Sequence, residues 1–434
     1  MSSWRTILFL PLLHVLHATA QFTWMPVAPL PMPTANAAVC AAEVNGVHQV
    51  YVFGGITTGL AAANIHQQAF RYEVTADQWW ALPALPDTLG KIAAAASVVG
   101  DTAYVIGGYH VFNGPPYELS SNKVHRLDLT TNTWLPDGAA VPVAIDDQVQ
   151  AVWRDSLIYV ITGWSNTANV PNVQLYDPAH DQWSAATPVP NTNQYKAFGA
   201  GGTIIGDTIY YFGGASMGGN FPAQDRLRIG HIDPLAPTNI TWLPAITGGL
   251  GPRYRPACLV LDDAPLWVGG SAVSYNYDAV AYNGSGVVAP AALMQRWDGT
   301  AMVAAGSTVP QVMDLRGAGE LGNGSYVIAG GIGTAQTVLD SVWLLTPGDV
   351  GMSEYRAVEL ALWPNPTTGA CTVLVPGSGG HYILCDAPGR SLLHGTFQGD
   401  RLHLDLRSLP RGAHVIEVFP ASGGAPLRTR VVRE

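Results

Sequence analysis

Charge is scarce in this chain. Only 12% of its 434 residues are Asp, Glu, Lys or Arg, against about a quarter in an ordinary soluble domain. Lysine is scarcest, with Lys91, Lys123 and Lys196 alone. With a formal net charge of −10 and no basic run, the composition argues against a nucleic-acid binder. No apolar run approaches the roughly twenty residues that a membrane-spanning helix needs, so no transmembrane segment is expected. Zinc-ligand spacing, a Walker loop, a Gly-X-Ser-X-Gly elbow and a dinucleotide fingerprint are all missing, and neither metal nor cofactor is expected. Cysteine is sparse too, with Cys40, Cys258, Cys371 and Cys385. Disorder is excluded by the 48% hydrophobic content. What the chain has in quantity is glycine (48) and proline (32), the residues of turns.

The first twenty residues read as a secretory signal. Arg5 supplies the charge, residues 7–16 the short apolar stretch, and Ala18-Thr19-Ala20 the small-residue cleavage site. The mature chain then starts at Gln21, outside the cell or on its surface. Cys371 and Cys385 each lie seven residues from Ser378, within Pro376-Gly377-Ser378-Gly379-Gly380. If that stretch is a hairpin loop, the two sulfurs can bridge across strands. Cys40 and Cys258 sit in apolar runs and read as small buried residues.

An internal repeat organises the middle of the chain. Apolar runs ending in glycine recur as Tyr51-Val52-Phe53-Gly54-Gly55, Tyr104-Val105-Ile106-Gly107-Gly108 and Tyr159-Val160-Ile161-Thr162-Gly163. They continue as Tyr210-Tyr211-Phe212-Gly213-Gly214, Leu266-Trp267-Val268-Gly269-Gly270 and Val327-Ile328-Ala329-Gly330-Gly331. The last glycines step by 53, 55, 51, 56 and 61 residues. A tryptophan series, Trp24, Trp79, Trp134, Trp183, Trp242 and Trp297, steps by 55, 55, 49, 59 and 55. Each unit reads as four strands, six times over. The two series are out of phase, because Trp24 precedes every glycine pair. They match only if residues 21–25 complete the last unit beside Val342-Trp343-Leu344-Leu345.

These units resemble the kelch repeat over residues 21–347. The resemblance implies an all-β, six-bladed kelch-type β-propeller with four strands per blade. After a linker at 348–357, residues 358–434 form a second all-strand module, read as a small C-terminal β-sandwich. Its Pro364-Asn365-Pro366-Thr367-Thr368-Gly369, Asp386-Ala387-Pro388-Gly389-Arg390, Leu409-Pro410-Arg411-Gly412 and basic-apolar terminus are similar to the type A C-terminal sorting domain of the Bacteroidota type IX secretion system. His414 stands where that family usually has Tyr. The resemblance implies export by that machinery, followed by release or attachment at the outer-membrane surface.

Function is expected on the face with the long loops, which follow the second strand of each unit. The loops entering each first strand reach the same face and carry Lys91, Lys196, Arg255 and Arg316. Converging there, the four cations would form a site for an acidic sugar, with Tyr195, Tyr254 or Trp164 stacking on it. The first expectation is therefore a recognition protein for an extracellular glycan or protein ligand. The alternative is a sugar epimerase or mutarotase, in which Arg255 holds a carboxylate and Asp146 or Asp147 acts as acid or base. A galactose-oxidase-like copper enzyme ranks below both, since the histidines occupy unrelated positions in the repeat.

Overall fold

The computed structural model describes residues 22–308, 310–322, 324–348, 360–375, 379–386, 390–420 and 427–434. The expected signal peptide and linker, Pro376-Gly377-Ser378 and Ala387-Pro388-Gly389 lie outside them. The chain divides into two compact units at 348/349.

In the first unit each repeat folds into an antiparallel sheet with strands in sequence order. Sheet 1 comprises Ala38–Val44, Val47–Ile56, Ile65–Glu73 and Gln78–Leu82. Sheet 2 starts with Ile92–Val99 and Thr102–Val111, sheet 3 with Val149–Trp153 and Leu157–Ile161. Sheet 4 starts with Phe198–Ile205 and Thr208–Ala215, sheet 5 with Ala257–Leu261 and Ala264–Val268. Sheet 6 runs Gly319–Glu320, Tyr326–Ala329, Val342–Pro347, and then takes Phe22–Val27 from the other end of the sequence as its fourth strand. That last pairing extends from Phe22↔Pro347 to Val27↔Val342.

The first strands of all six sheets line one central channel of about 540 Å³. Crowding at this hub explains their small residues. A Cβ on Gly201 would lie 2.8 Å from the Pro256 carbonyl oxygen, and one on Gly202 2.6 Å from Val149. The glycine that ends each second strand has a different task. A Cβ there would sit 2.7–2.8 Å from a carbonyl oxygen of the incoming loop: Ala35, Ile92, Asp146, Phe198, Tyr254 and Met313 in turn. All six glycines have positive φ, so glycine serves both sterics and backbone conformation. Four glycine N–H groups tie a sheet to the loop entering the next one: Gly55 to Lys91, Gly214 to Arg253, Gly270 to Val312, and Gly331 of sheet 6 back to Thr34 of sheet 1.

The tryptophans fasten the outer strands. Trp79, Trp134, Trp183 and Trp242 donate their indole N–H to the carbonyls of Ala28, Pro83, Ala139 and Thr187, at 2.8–3.2 Å. Each acceptor lies in the connection from the preceding repeat, so a large apolar side chain with one donor suits the position.

The second unit has a three-stranded sheet, Leu362–Trp363, Ala370–Leu374 and Arg401–Asp405. Its four-stranded sheet runs in the order Ser391–Phe397, Gly380–Cys385, Gly412–Pro420, Leu427–Arg433. Val373, Leu402 and Leu404 of one and Leu384, Ile416 and Val431 of the other belong to one buried cluster. The expected Cys371–Cys385 bridge is absent. Cys371 pairs with Leu404 in the smaller sheet, Cys385 with Val415 in the larger, and both thiols are free. Ala370–Leu374 and Gly380–Cys385, the strands on either side, belong to different sheets, so the sulfurs are not cross-strand neighbours.

Candidate functional site

A ring of residues with positive φ caps the channel on the long-loop side. One residue per repeat adopts this conformation just before or at the start of the first strand: Asn36, Ala93, Asp147, Gly199, Arg255 and Asp314, with φ between 49° and 67°. Neighbours in the ring are joined by hydrogen bonds. Asn36 N–H donates to Asp314 O, Asp147 N–H to Ala93 O, Gly199 N–H to Asp147 O, and Arg255 N–H to Gly199 O. Ala93 N–H donates to the Asn36 side chain at 3.0 Å, and Leu315 N–H closes onto Arg255 O at 3.1 Å. Left-handed backbone at Arg255 and Ala93 is strained, and the ring over-determines it.

Three ring side chains meet at the centre. The Arg255 guanidinium donates to both carboxylate oxygens of Asp147, at 3.0 and 2.7 Å, and to Asp314 at 2.9 Å. All three side chains are buried. Tyr254 and Tyr275 lie beside the guanidinium, their centroids 5.0 and 5.5 Å from its carbon. Burial opposes the Arg255 charge, but Asp147, Tyr254 and Asp314 raise its pKa well above the usual arginine range. Burial pushes the Asp314 carboxyl up, against the pull of Arg255. This is a bidentate, doubly countered cation.

Beside the ring lies a pocket of about 160 Å³, walled by Tyr109, Glu118, Asp146, Asp147, Trp164, Phe198, Phe221, Arg255 and Tyr282. Sheets 2 to 5 all contribute. The rings meet steeply: Trp164 and Phe221 at 5.5 Å and 85°, Phe198 and Phe221 at 5.8 Å and 83°, Phe221 and Tyr282 at 5.1 Å and 68°. Asp146 is buried on this wall and takes a 2.5 Å hydrogen bond from Ser120 Oγ. Burial, then the charge of Asp147, holds its pKa well above the ordinary carboxylate range, despite Ser120 and Arg255. Glu118 is also raised, chiefly by burial, although Arg255 and a hydrogen bond from Asn276 lower it. Carboxyl groups with raised pKa values beside a small aromatic pocket are a recurrent mark of function.

The four cations do not converge. Lys91, on the loop entering sheet 2, is buried 2.5 Å from Asp87 and bonded to Ser121 and His125. Arg316 points into the channel, where it bonds the Gln148 carbonyl at 2.7 Å and lies 3.4 Å from Asp147. Lys196 is half-buried and lies on neither the pocket nor the channel wall. Only Arg255 reaches the pocket, already committed to two carboxylates. The physical reason is register: counted from the ring position of its own repeat, Lys91 stands two residues before, Lys196 three before, and Arg316 two after. Successive residues on such a loop point in different directions.

Tyr195 is likewise outside the pocket, its hydroxyl donating to Leu243 O at 2.7 Å. Tyr254 is fully buried under the ring. Trp164, Asp146, Asp147 and Arg255 are the anticipated residues that the fold assembles. Glu118, Phe198, Tyr282, Asn36 and Asp314 went unrecognised in the sequence. Counting back from the last glycine of each repeat brings one near Asp314 only approximately, since it stands 17 residues before Gly331 while Asp147 stands 16 before Gly163 and Arg255 15 before Gly270. Among the described residues no three of His, Cys, Asp and Glu converge as metal ligands, and no helix is long and apolar enough to cross a membrane.

Comparison with known proteins bears on the first unit. The family model "KLHDC2/KLHL20/DRC7 Kelch-repeats domain" matches residues 11–214. Kelch domain-containing protein 3 of Bos taurus is 25% identical over 246 residues, covering 52% of this chain and 59% of that protein. Kelch-like protein terF of Aspergillus terreus is 33% identical over 129 residues, 28% of this chain and 26% of that one. The chain therefore spans well under two thirds of these relatives. The solved structure titled "Structure of YjhT" superposes with a TM-score of 0.59 at 17% identity, over 75% of this chain and 98% of that one. Sheet order and structural likeness agree on an all-β, propeller-like fold, and residues 11–214 are similar to the kelch-repeat family.

Proposed function

We propose that the chain is an exported recognition protein that binds a glycan or protein ligand in the pocket beside the ring. In this reading the six sheets are the blades of a six-bladed propeller, sealed by Phe22–Val27. The observation that carries it is the pocket itself: rings from several sheets and a buried carboxyl are held on a fixed hub, at the end where the long loops lie. Pre-formed pockets of this make-up are the usual seats of ligands. Residues 358–434 serve as a β-sandwich sorting domain for type IX secretion. Support comes from the motif geometry: Asn365 bonds the last strand through Arg430 O and Val432 N–H, and Asp386 binds Arg390 through backbone and side chain. The protein then works outside the cell, or at the outer-membrane surface of a member of the Bacteroidota.

The test is a glycan and peptide array probed with the full chain and with Trp164→Ala. Wild-type signals that vanish in the variant support the reading; identical signals reject this pocket as the ligand site. The raised pKa of Asp146 favours one second reading, acid–base catalysis on a sugar ring as in a mutarotase or epimerase. Arg255 is not free to hold a substrate carboxylate there. Anomer interconversion of N-acetylneuraminate, lost in Asp146→Asn, would select it.

A further inference from the structure

We infer that the pocket takes a basic side chain, lysine or arginine, presented by a partner polypeptide. This rests on the pocket being the ligand site and names the chemistry of what enters it.

Charge around the ring leads to the inference. Arg255 and Arg316 are the two cations at the hub, and Asp147 and Asp314 answer them, two against two. Asp146 and Glu118 remain on the pocket wall. Ser120 bonds the first, and among the described residues no salt bridge reaches either. Burial without a counter-ion favours the protonated form of a carboxyl, and the pKa of Asp146 is shifted up accordingly. A cation of suitable size can take the place of that proton. The walls suit it, because the faces of Trp164, Phe221, Tyr109 and Tyr282 attract cations through their quadrupoles.

Size and surroundings choose the source. About 160 Å³ falls below the roughly 300–1,000 Å³ of pockets that engulf a whole small molecule, but it accommodates one side chain. Beside the pocket residues in sequence stand exposed apolar ones: Tyr117 at 61% and Leu119 at 42% flank Glu118, and Val280 (40%) and Val287 (55%) bracket Tyr282. Exposed apolar residues next in sequence to a carboxyl-bearing pocket, with Leu119 lining the adjoining cavity beside Glu118 and Asp146, match a polypeptide with a central basic anchor.

The probes are Nα-acetyl-lysine amide and Nα-acetyl-arginine amide, with Nα-acetyl-norleucine amide as the uncharged control and N-acetylglucosamine as a neutral sugar. Each is titrated into the full chain while fluorescence is followed, with Trp164→Phe as the subtraction. Saturable binding of a basic probe is expected, at least tenfold tighter than norleucine. It should be weakened at least tenfold in Asp146→Asn and tighten with pH as Asp146 yields its proton. Glu118→Gln, on the rim, gives a second reading in a variant without a buried substitution. Equal binding of the norleucine and lysine probes overturns the inference. So does a response to N-acetylglucosamine alone, which would leave the pocket as the ligand site. Silence of Trp164 toward every probe overturns both.

Discussion

Replacing Arg255 with methionine keeps the bulk of the side chain and removes the charge at the centre of the ring. Asp147 and Asp314, both buried, then lose their shared partner. Removing one member of a buried ion pair costs about 3–5 kcal/mol. The lower part of that range applies, because Asp147 keeps Arg316 at 3.4 Å and the raised pKa of Asp314 eases its protonation. Lost contacts with the Tyr254 and Tyr275 rings add about 1 kcal/mol. The expected loss is therefore about 4 kcal/mol. Urea unfolding followed by tryptophan fluorescence reads it as a lower midpoint at unchanged slope. Lys196→Ala, at a half-buried site, should stay within about 0.5 kcal/mol. Adding Asp147→Asn to Arg255→Met should cost less than the sum of the two singles. A loss below about 1 kcal/mol in Arg255→Met would refute the argument that this arginine is a structural hub.

Three further outcomes are expected. The folded pKa of Asp146 is raised, so its share of stability is full below the unfolded value, about 3.9, and falls as pH rises toward the folded one; Asp146→Asn should match wild type near pH 4 and gain on it up to pH 8, by urea midpoint. Gly270→Ala and Gly284→Ala share φ +77°, but only the first places a Cβ 2.7 Å from a carbonyl, that of Tyr254, while the second meets nothing within 4 Å; both pay about 1–2 kcal/mol of left-handed strain, and thermal melts should show a further 1–3 kcal/mol at Gly270. Intact mass should not change on reduction, because Cys371 and Cys385 are unbridged.

The repeat was legible because its marks answer to backbone geometry. A glycine whose Cβ would strike a carbonyl at 2.7 Å cannot be exchanged cheaply, and a tryptophan N–H that must reach the previous connection keeps its place. The offset of Trp24 has its counterpart in the pairing of Phe22–Val27 with Val342–Pro347. The site was legible only in part. Trp164, Asp146 and Asp147 could be placed at the right face from loop position, but side-chain direction on a tight loop changes with every residue. Lys91, Lys196 and Arg316 therefore went to Asp87, to the outside of the pocket and to the channel. Phe198, by contrast, hides in the first strand of sheet 4, where no loop signal marks it. The supposed cysteine bridge failed because a glycine-rich stretch can cross between sheets as readily as it can turn within one.

Thr23 and Thr346 face each other in the register between the first and last strands, at the single place where the two ends of the unit meet. Cysteines at both positions, oxidised in the full chain, measure that meeting directly. A bridge within one molecule and a higher melting temperature are predicted, since closing a loop of this length stabilises by up to about 5 kcal/mol. Cysteines that stay reduced, or that join only separate molecules, would contradict a ring closed by its own first strand.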